Sequence, residues 1–374
     1  MDARPVNLGY HVHQPCNLDD ALTKKESARR APTESDVAKL AGVSQSAVSR
    51  AFTPGASVAE LTRKKILLAA QSLGYQPNLM ARSLATRRSN IVALAISYLE
   101  NPFYAQVVKE LSDRLRDTGR HILLFTTPPN QDADPALERV LSYQVDALIM
   151  TATTASLELA LQCQKAGVPI VQINRESKLP GISTVRGENH RAGEMVAAFL
   201  DAGGHKQFAF LGGTETSSTG RTRREAFTNY LKARGHEVEV AYGNYTFEGA
   251  AAATRALLEG PNPPDAIFCA SDYMAFAVSD VARREYKLKV PKDLSIVGFD
   301  DVPEAAHSGY DLTTFSQPAA ALVEEAIKII DTMIAEPARR AQRREVRGQL
   351  IVRGSARLPE TGIIELDGKK IWQQ

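Results

Sequence analysis

Three cysteines are all that the 374-residue chain contains, and Cys16, Cys163 and Cys269 stand far apart. An odd, scattered set excludes a disulfide framework and suits a reducing compartment. Long apolar runs are missing too: no stretch approaches membrane-spanning length, and the N-terminus lacks the apolar segment of a secretory signal. A cytoplasmic location is therefore expected, and a secreted solute-binding protein is not. Catalytic signatures are equally absent. There is no G-x-S-x-G, no Walker loop and no H-E-x-x-H, and Gly212-Gly213 lacks the rest of a dinucleotide fingerprint. His11, His13 and Cys16 find no fourth partner for a metal. Neither an enzyme, a cofactor nor a metal site is expected.

A large net charge is lacking as well, but the small excess of +2 is unevenly spread. Residues 1–90 hold 13 Lys/Arg against 7 Asp/Glu, a net +6, and the remainder holds 32 against 36, a net −4. A basic head on a mildly acidic body suits a DNA-binding module joined to something that binds small molecules. The length allows two or three domains, each with its own core.

The head centres on T-E-S-D-V-A-K-L-A-G-V-S-Q-S-A-V-S-R-A-F, Thr33 to Phe52. Thr33 caps a first helix and Asp36 reaches back to it, a capping box. Val37 and Leu40 share its inner face, and Ala38 and Ala41 allow close crossing. Gly42 turns the chain with positive φ. Val43 plugs the corner, Ser44 caps a second helix, and Val48 and Ala51 point inward. Gln45, Ser46, Ser49 and Arg50 form the outer face, the residue types that read base edges and hold phosphates. This is a helix-turn-helix pattern. A third helix is expected from about Ala59 to Leu73, with Leu61, Ile66, Leu67, Ala70 and Leu73 inward and Ser57 as an alternative cap. Residues 1–31 read as a disordered extension. Asn78–Thr86 is a short amphipathic segment that cannot hold a helix alone in water.

From Ile91 onward apolar runs alternate with helical stretches. Ile91–Ile96, His121–Thr126, Ala147–Met150, Ile170–Ile173, Phe208–Leu211, Ala266–Cys269 and Leu294–Gly298 read as buried parallel strands. Helices lie between them, several closed by glycine. Such alternation predicts doubly wound α/β lobes, with ligand at the carboxyl ends of the strands.

The head motif, then G-Y-Q-P-N-L-M-A-R-S-L, resembles the lactose-repressor (LacI) family of bacterial transcription regulators. N-P-F-Y at Asn101, V-D-A-L-I at Val145 and G-H-K-Q-F-A-F-L-G-G at Gly204 agree in order. So do C-A-S-D-Y-M-A at Cys269, V-P-K-D-L-S-I-V-G-F-D-D at Val290 and L-T-T-F-S-Q-P at Leu312. The resemblance covers about residues 33–357. It implies a helix-turn-helix domain over 32–76 and a hinge helix and linker over 77–89. A two-lobed, periplasmic-binding-protein-like core follows over 90–358, then a loose tail over 359–374. Lobe 1 would span about 90–187 and 318–346, and lobe 2 about 188–317 and 347–358.

By family position, Gln45, Ser46 and Arg50 read bases in the major groove, while Ser44, Ser49 and Thr53 touch phosphates. Arg50 bonding only phosphate is the alternative. Thr53 stands where Asn is common, and Ala59 where a Ser cap is common. Asn78, Arg82 and Leu84 belong to the hinge helix that folds on DNA beside its twin, with Leu84 wedged into the minor groove. The implied partners are a pseudo-palindromic operator, a second copy of the chain and a carbohydrate-like effector. The effector cleft would draw on Phe103, Asn174, Arg221, Arg223, Tyr245, Ser271, Asp272, Asp300 and Gln317. Planar hydrogen-bonding groups for hydroxyls and an aromatic face for the ring fit a sugar. Arg221 as a structural ion-pair partner is an alternative, and Ser271 departs from a common Asn. Arg175, beside Asn174, favours an acidic effector if it faces inward; an outward salt bridge is the other possibility. Expected output is repression, with effector and DNA binding coupled.

Overall fold

Local capping chemistry starts the first helix. In the computed structural model, which describes residues 31–53, 55–76, 88–126, 137 and 139–373, the Asp36 carboxylate accepts from the Thr33 N–H at 2.8 Å and its hydroxyl at 2.6 Å. Helix α1 (Glu34–Ala41) then ends on Gly42 at φ 66°, the left-handed conformation that glycine adopts without a Cβ penalty. Three residues turn the chain into α2 (Gln45–Ala51), and α3 (Glu60–Leu73) closes the unit. The interior is thin: Val37, Ala38, Val48, Ala51, Ile66, Ala69 and Ala70, with the Phe52 and Tyr75 rings 5.8 Å apart at its edge.

Two expectations for this unit are corrected. Leu40 and Leu61 are 57% and 78% exposed, and Leu67 and Leu73 are exposed too. The alanines take the crossing because only small side chains let helices approach so closely. Ala59, not Ser57, is the cap of α3, and no side-chain bond supports it. The chain divides into two compact units, one ending at Arg82 and the other starting at Ser83. The expected disordered extension and hinge helix fall, over residues 1–30 and 77–87, outside the described residues.

The second unit opens with β1 (Ile91–Ile96), α4 (Pro102–Asp117), β2 (His121–Thr126), β3 (Ala147–Thr151), α5 (Leu157–Ala166), β4 (Ile170–Ile173) and β5 (Ile182–Gly187). It continues with α6 (Asn189–Ala202), β6 (Phe208–Gly212), α7 (Ser218–Lys232), β7 (Val238–Tyr242), α8 (Phe247–Glu259) and β8 (Ala266–Cys269). Then come α9 (Asp272–Asp280), β9 (Ser295–Asp300), β10 (Thr313–Ser316), α10 (Ala319–Ala335), β11 (Arg343–Val346) and β12 (Leu350–Ile351). A final hairpin, β13 (Ile363–Leu366) and β14 (Lys369–Trp372), ends the chain.

One sheet runs β2-β1-β3-β4-β5-β11, parallel throughout. The other runs β7-β6-β8-β9-β10-β12-β14-β13. Its first five strands are parallel, and the last three pair antiparallel. Each sheet thus contains the same doubly wound order, with a switch point beside its first strand. The expected parallel strands are thus parallel, three antiparallel strands extend the second sheet, and the loose tail is corrected. Trp372 is buried edge-on to Phe199 at 5.7 Å, with its indole N–H donating to the Thr361 carbonyl at 3.0 Å. Fully buried Phe199, Phe210, Phe227 and Phe268 anchor the core under this sheet. Among the described residues no helix is long and apolar enough to cross a membrane.

Candidate functional site

On α2, Gln45, Ser46, Ser49 and Arg50 are exposed while Val48 and Ala51 are buried. The Ser44 hydroxyl accepts from the Ala47 N–H at 3.3 Å and sits 3.0 Å from that of Ser46. Gln45 makes only a long bond to Glu34, at 3.5 Å. The half-buried Thr53 donates back to the Ser49 carbonyl at 2.9 Å. A short helix thereby presents a row of exposed polar groups on one face. Arg63, to which the sequence reading gave no role, donates from α3 to the carbonyls of Ala51 and Ala56, satisfying the end of α2. Asn78, Arg82 and Leu84 lie outside the described residues.

In the second unit the carboxyl ends of both sheets supply one cleft. Tyr98, Asn101 and Tyr104 come from the turn after β1 and the start of α4, and Asn174 and Arg175 follow β4. Opposite them stand Ser217, Thr219 and Arg223 at the start of α7, Tyr245 after β7, Ala270 and Ser271 after β8, and Asp300 at the end of β9. The space among them, out to the mouth, is about 330 Å³. A wider groove lined by Ser89, Leu141, Asp146, Val168 and Ile334 holds, among the described residues, no buried unpaired polar side-chain atom. The cleft does.

Arg223 is 2% exposed. Its Nε donates to Asn189 Oδ1 and its Nη1 to the Ala270 carbonyl, both at 2.7 Å, and its guanidinium lies 3.3 Å from the Phe299 ring centroid. Its remaining nitrogen, Nη2, is buried with no partner, as is Asn174 Oδ1. Burying polar atoms unpaired costs about 1–3 kcal/mol each, and two that line the same cleft are open to bonding by a ligand. Asp300 accepts from the Gln317 amide at 3.2 Å. Burial, with the Asp272 carboxyl nearby, raises the Asp300 carboxyl well above its usual range, against the pull of Arg223. Burial also raises the Tyr104 hydroxyl and depresses the Arg223 guanidinium.

Backbone strain gathers here. Tyr98, Asn174 and Tyr245 hold φ near 55–57°, and Asp300 holds 132°. Non-glycine residues in such conformations cost about 1–3 kcal/mol and cluster at functional sites. Gly213 lets the Tyr245 ring lie across the cleft wall: a Cβ there would meet the ring at 2.0 Å. The ring is fixed by Ser217, hydroxyl to hydroxyl at 3.0 Å, and by an edge contact with Tyr98 at 5.5 Å.

Asn174, Arg223, Tyr245, Ser271 and Asp300, all expected in the cleft, come together there. Four others do not. Phe103 points into the core, and its neighbour Tyr104 takes the lining position. Arg221 lines a separate niche with Glu215, Arg224 and Tyr242, and pairs with no carboxylate among the described residues. Asp272 is fully buried behind the wall, accepting from Thr314 and the Val302 N–H; burial pushes its carboxyl up to about 7 against those bonds. Gln317 stands behind Asp300 and positions it. The sequence reading missed Tyr98, Asn101, Tyr104, Ser217 and Thr219. Three lining residues, Asn101, Ser217 and Ser271, are helix caps, recognisable as polar residues between a strand and a helix.

The model of bacterial regulatory proteins of the lacI family matches residues 33–78, and that of the periplasmic binding protein-like domain matches residues 196–356. The HTH-type transcriptional regulator CelR of Thermobifida fusca is 31% identical over 337 residues, 87% of this chain and 99% of CelR. The ribose operon repressor of Escherichia coli (strain K12) is 30% identical over 329 residues, 87% of this chain and 99% of the repressor. Among solved structures, a CelR–cellobiose complex is similar at TM-score 0.64 and 30% identity, covering 87% of this chain and all of that one. A lac repressor dimer bound to operator and the anti-inducer ONPF reaches TM-score 0.77 at 25% identity, covering 87% of this chain and 99% of that one. The helix-turn-helix head, the two-sheet cleft and these likenesses lead to one conclusion: the chain belongs to the lacI family of DNA-binding bacterial transcription regulators.

Proposed function

We propose that the protein is a homodimeric repressor whose grip on a pseudo-palindromic operator is set by a carbohydrate-like molecule held between the two sheets. The observation that carries this reading is the pair of buried, unpaired atoms, Arg223 Nη2 and Asn174 Oδ1, beside Asp300 in a tyrosine-walled cleft. A ring or chain bearing hydroxyls both donates and accepts, and so completes all three; the Tyr245 face suits its C–H surface. What CelR binds in its complex, and the operator on the lac repressor dimer, support the same reading. The protein then works in the cytoplasm, where its DNA is. Gln45, Ser46 and Arg50 are the base readers, and Ser44, Ser49 and Thr53 hold phosphates. Effector binding favours one lobe angle, and hence one spacing of the two heads, so the ligand and DNA bias the same equilibrium.

The test is binding of full-length protein to its own promoter region at moderate salt. Specific binding is expected, and Arg50→Ala should lose about 1–3 kcal/mol of discrimination at one base position. Arg223→Lys keeps the charge but loses the fork, so it should bind DNA normally and no longer respond to sugars. Absence of specific binding to any fragment, with or without sugars, overturns the reading.

A further inference from the structure

Arg175 is half-buried. It lines the cleft, and its side chain makes one long hydrogen bond, to the Ala152 carbonyl at 3.5 Å. The neighbouring Glu176 is already committed to Arg186 at 2.8 Å, and Arg186 also takes Glu345 at 2.8 Å. No ion pair forms at Arg175 among the described residues, so the outward salt bridge that the sequence left open is not made. A second cation, Arg223, stands in the same cleft with its Nη2 buried and unpaired. Against these two guanidinium groups the lining offers a single carboxyl, Asp300, itself occupied by Gln317. The cleft is therefore net positive whichever way Asp300 is protonated.

The backbone adds to the same field. Asn101, Ser217 and Ser271 cap helices of 16, 15 and 9 residues, and all three caps line the cleft. Three helix N-termini therefore direct their partial positive charge at one small space. A neutral sugar needs none of this. An excess of buried and half-buried positive charge, left uncompensated, is costly unless a ligand supplies the anion.

We infer that the effector is an oxyanion on a polyhydroxylated skeleton, a carboxylate or a phosphate, and that Arg175 receives the anionic group. The inference rests on the carbohydrate reading above. Arg175 supplies a planar fork that matches either oxyanion bidentately. Arg223, Asn174 and Asp300 keep the hydroxyl end.

The test is a thermal-shift series on full-length protein, at constant ionic strength, with matched probes. D-Glucose is set against D-gluconate, D-glucuronate and D-glucose 6-phosphate, D-galactose against D-galacturonate, and D-ribose against D-ribose 5-phosphate. In at least one set the anion should raise the melting temperature and its neutral parent should not; the arm that responds tells carboxylate from phosphate. Arg175→Gln should weaken that anion at least tenfold without lowering the unliganded melting temperature or changing promoter binding, and Arg175→Lys should fall between. A neutral parent that binds as well as its anion, or an Arg175→Gln variant of unchanged affinity, overturns the anionic inference and leaves the carbohydrate reading standing. No shift from any probe, neutral or charged, counts against both.

Discussion

The head and the effector unit are built on different physical terms. The head buries seven small or medium apolar side chains and relies on local devices: a capping box, a left-handed glycine, a serine cap and the Arg63 clamp. The second unit buries eleven aromatic side chains among its described residues and holds Tyr98, Asn174, Tyr245 and Asp300 in costly backbone conformations around unpaired polar atoms. A small domain has little stability to give away, so its function sits on exposed side chains that cost nothing to display. A large one can afford a site that is incomplete without its ligand.

Trp372→Ala should have the largest effect, destabilising the effector unit by about 3–5 kcal/mol, because it empties the space beside Phe199 and frees the hairpin. Calorimetry should show the upper transition falling while the head transition stays in place. Ile66→Ala should cost the head about 2–5 kcal/mol, enough to unfold a unit with so thin a core. DNA binding should disappear while the effector still shifts the melting of the second unit. If either substitution lowers both transitions equally, the two units are not energetically separate and the comparison breaks. Gly213→Ala should cost about 1–3 kcal/mol by pushing the Tyr245 ring aside. Its signature is a weakened effector response with normal promoter binding in the absence of effector.

The same contrast explains what the sequence disclosed. The head follows nearest-neighbour rules, so Thr33, Asp36, Gly42 and Ser44 announced its helices and turn. It misled only where tertiary crossing decides: Leu40 and Leu61 look like core and are displaced by Ala69 and Ala70. In the second unit, fully buried strands such as Ile91–Ile96 and Ala266–Cys269 were plain from their apolar runs. The hairpin was not, since Glu365, Lys369 and Lys370 gave it a polar look. The signal was present in Asp367-Gly368, both at positive φ in a two-residue turn. The cleft was half legible. Arg223, Asp300 and Asn174 were assigned by family position, whereas Tyr98 and Ser217 reach the site only because the doubly wound order brings strand ends together. Phe103 and Asp272 belong to the same motifs yet face the other way, a distinction that register and not residue type decides.

The central claim is that the cleft and the head share one equilibrium. It is tested most directly by measuring promoter affinity with and without a saturating amount of the probe that gives the largest thermal shift, and the probe's affinity with and without promoter DNA. Linkage requires the same factor both ways, and a coupling of about 1–3 kcal/mol makes it roughly 5–150-fold. Equal factors in that range are the predicted result; a promoter affinity that saturating probe leaves unchanged would contradict the account.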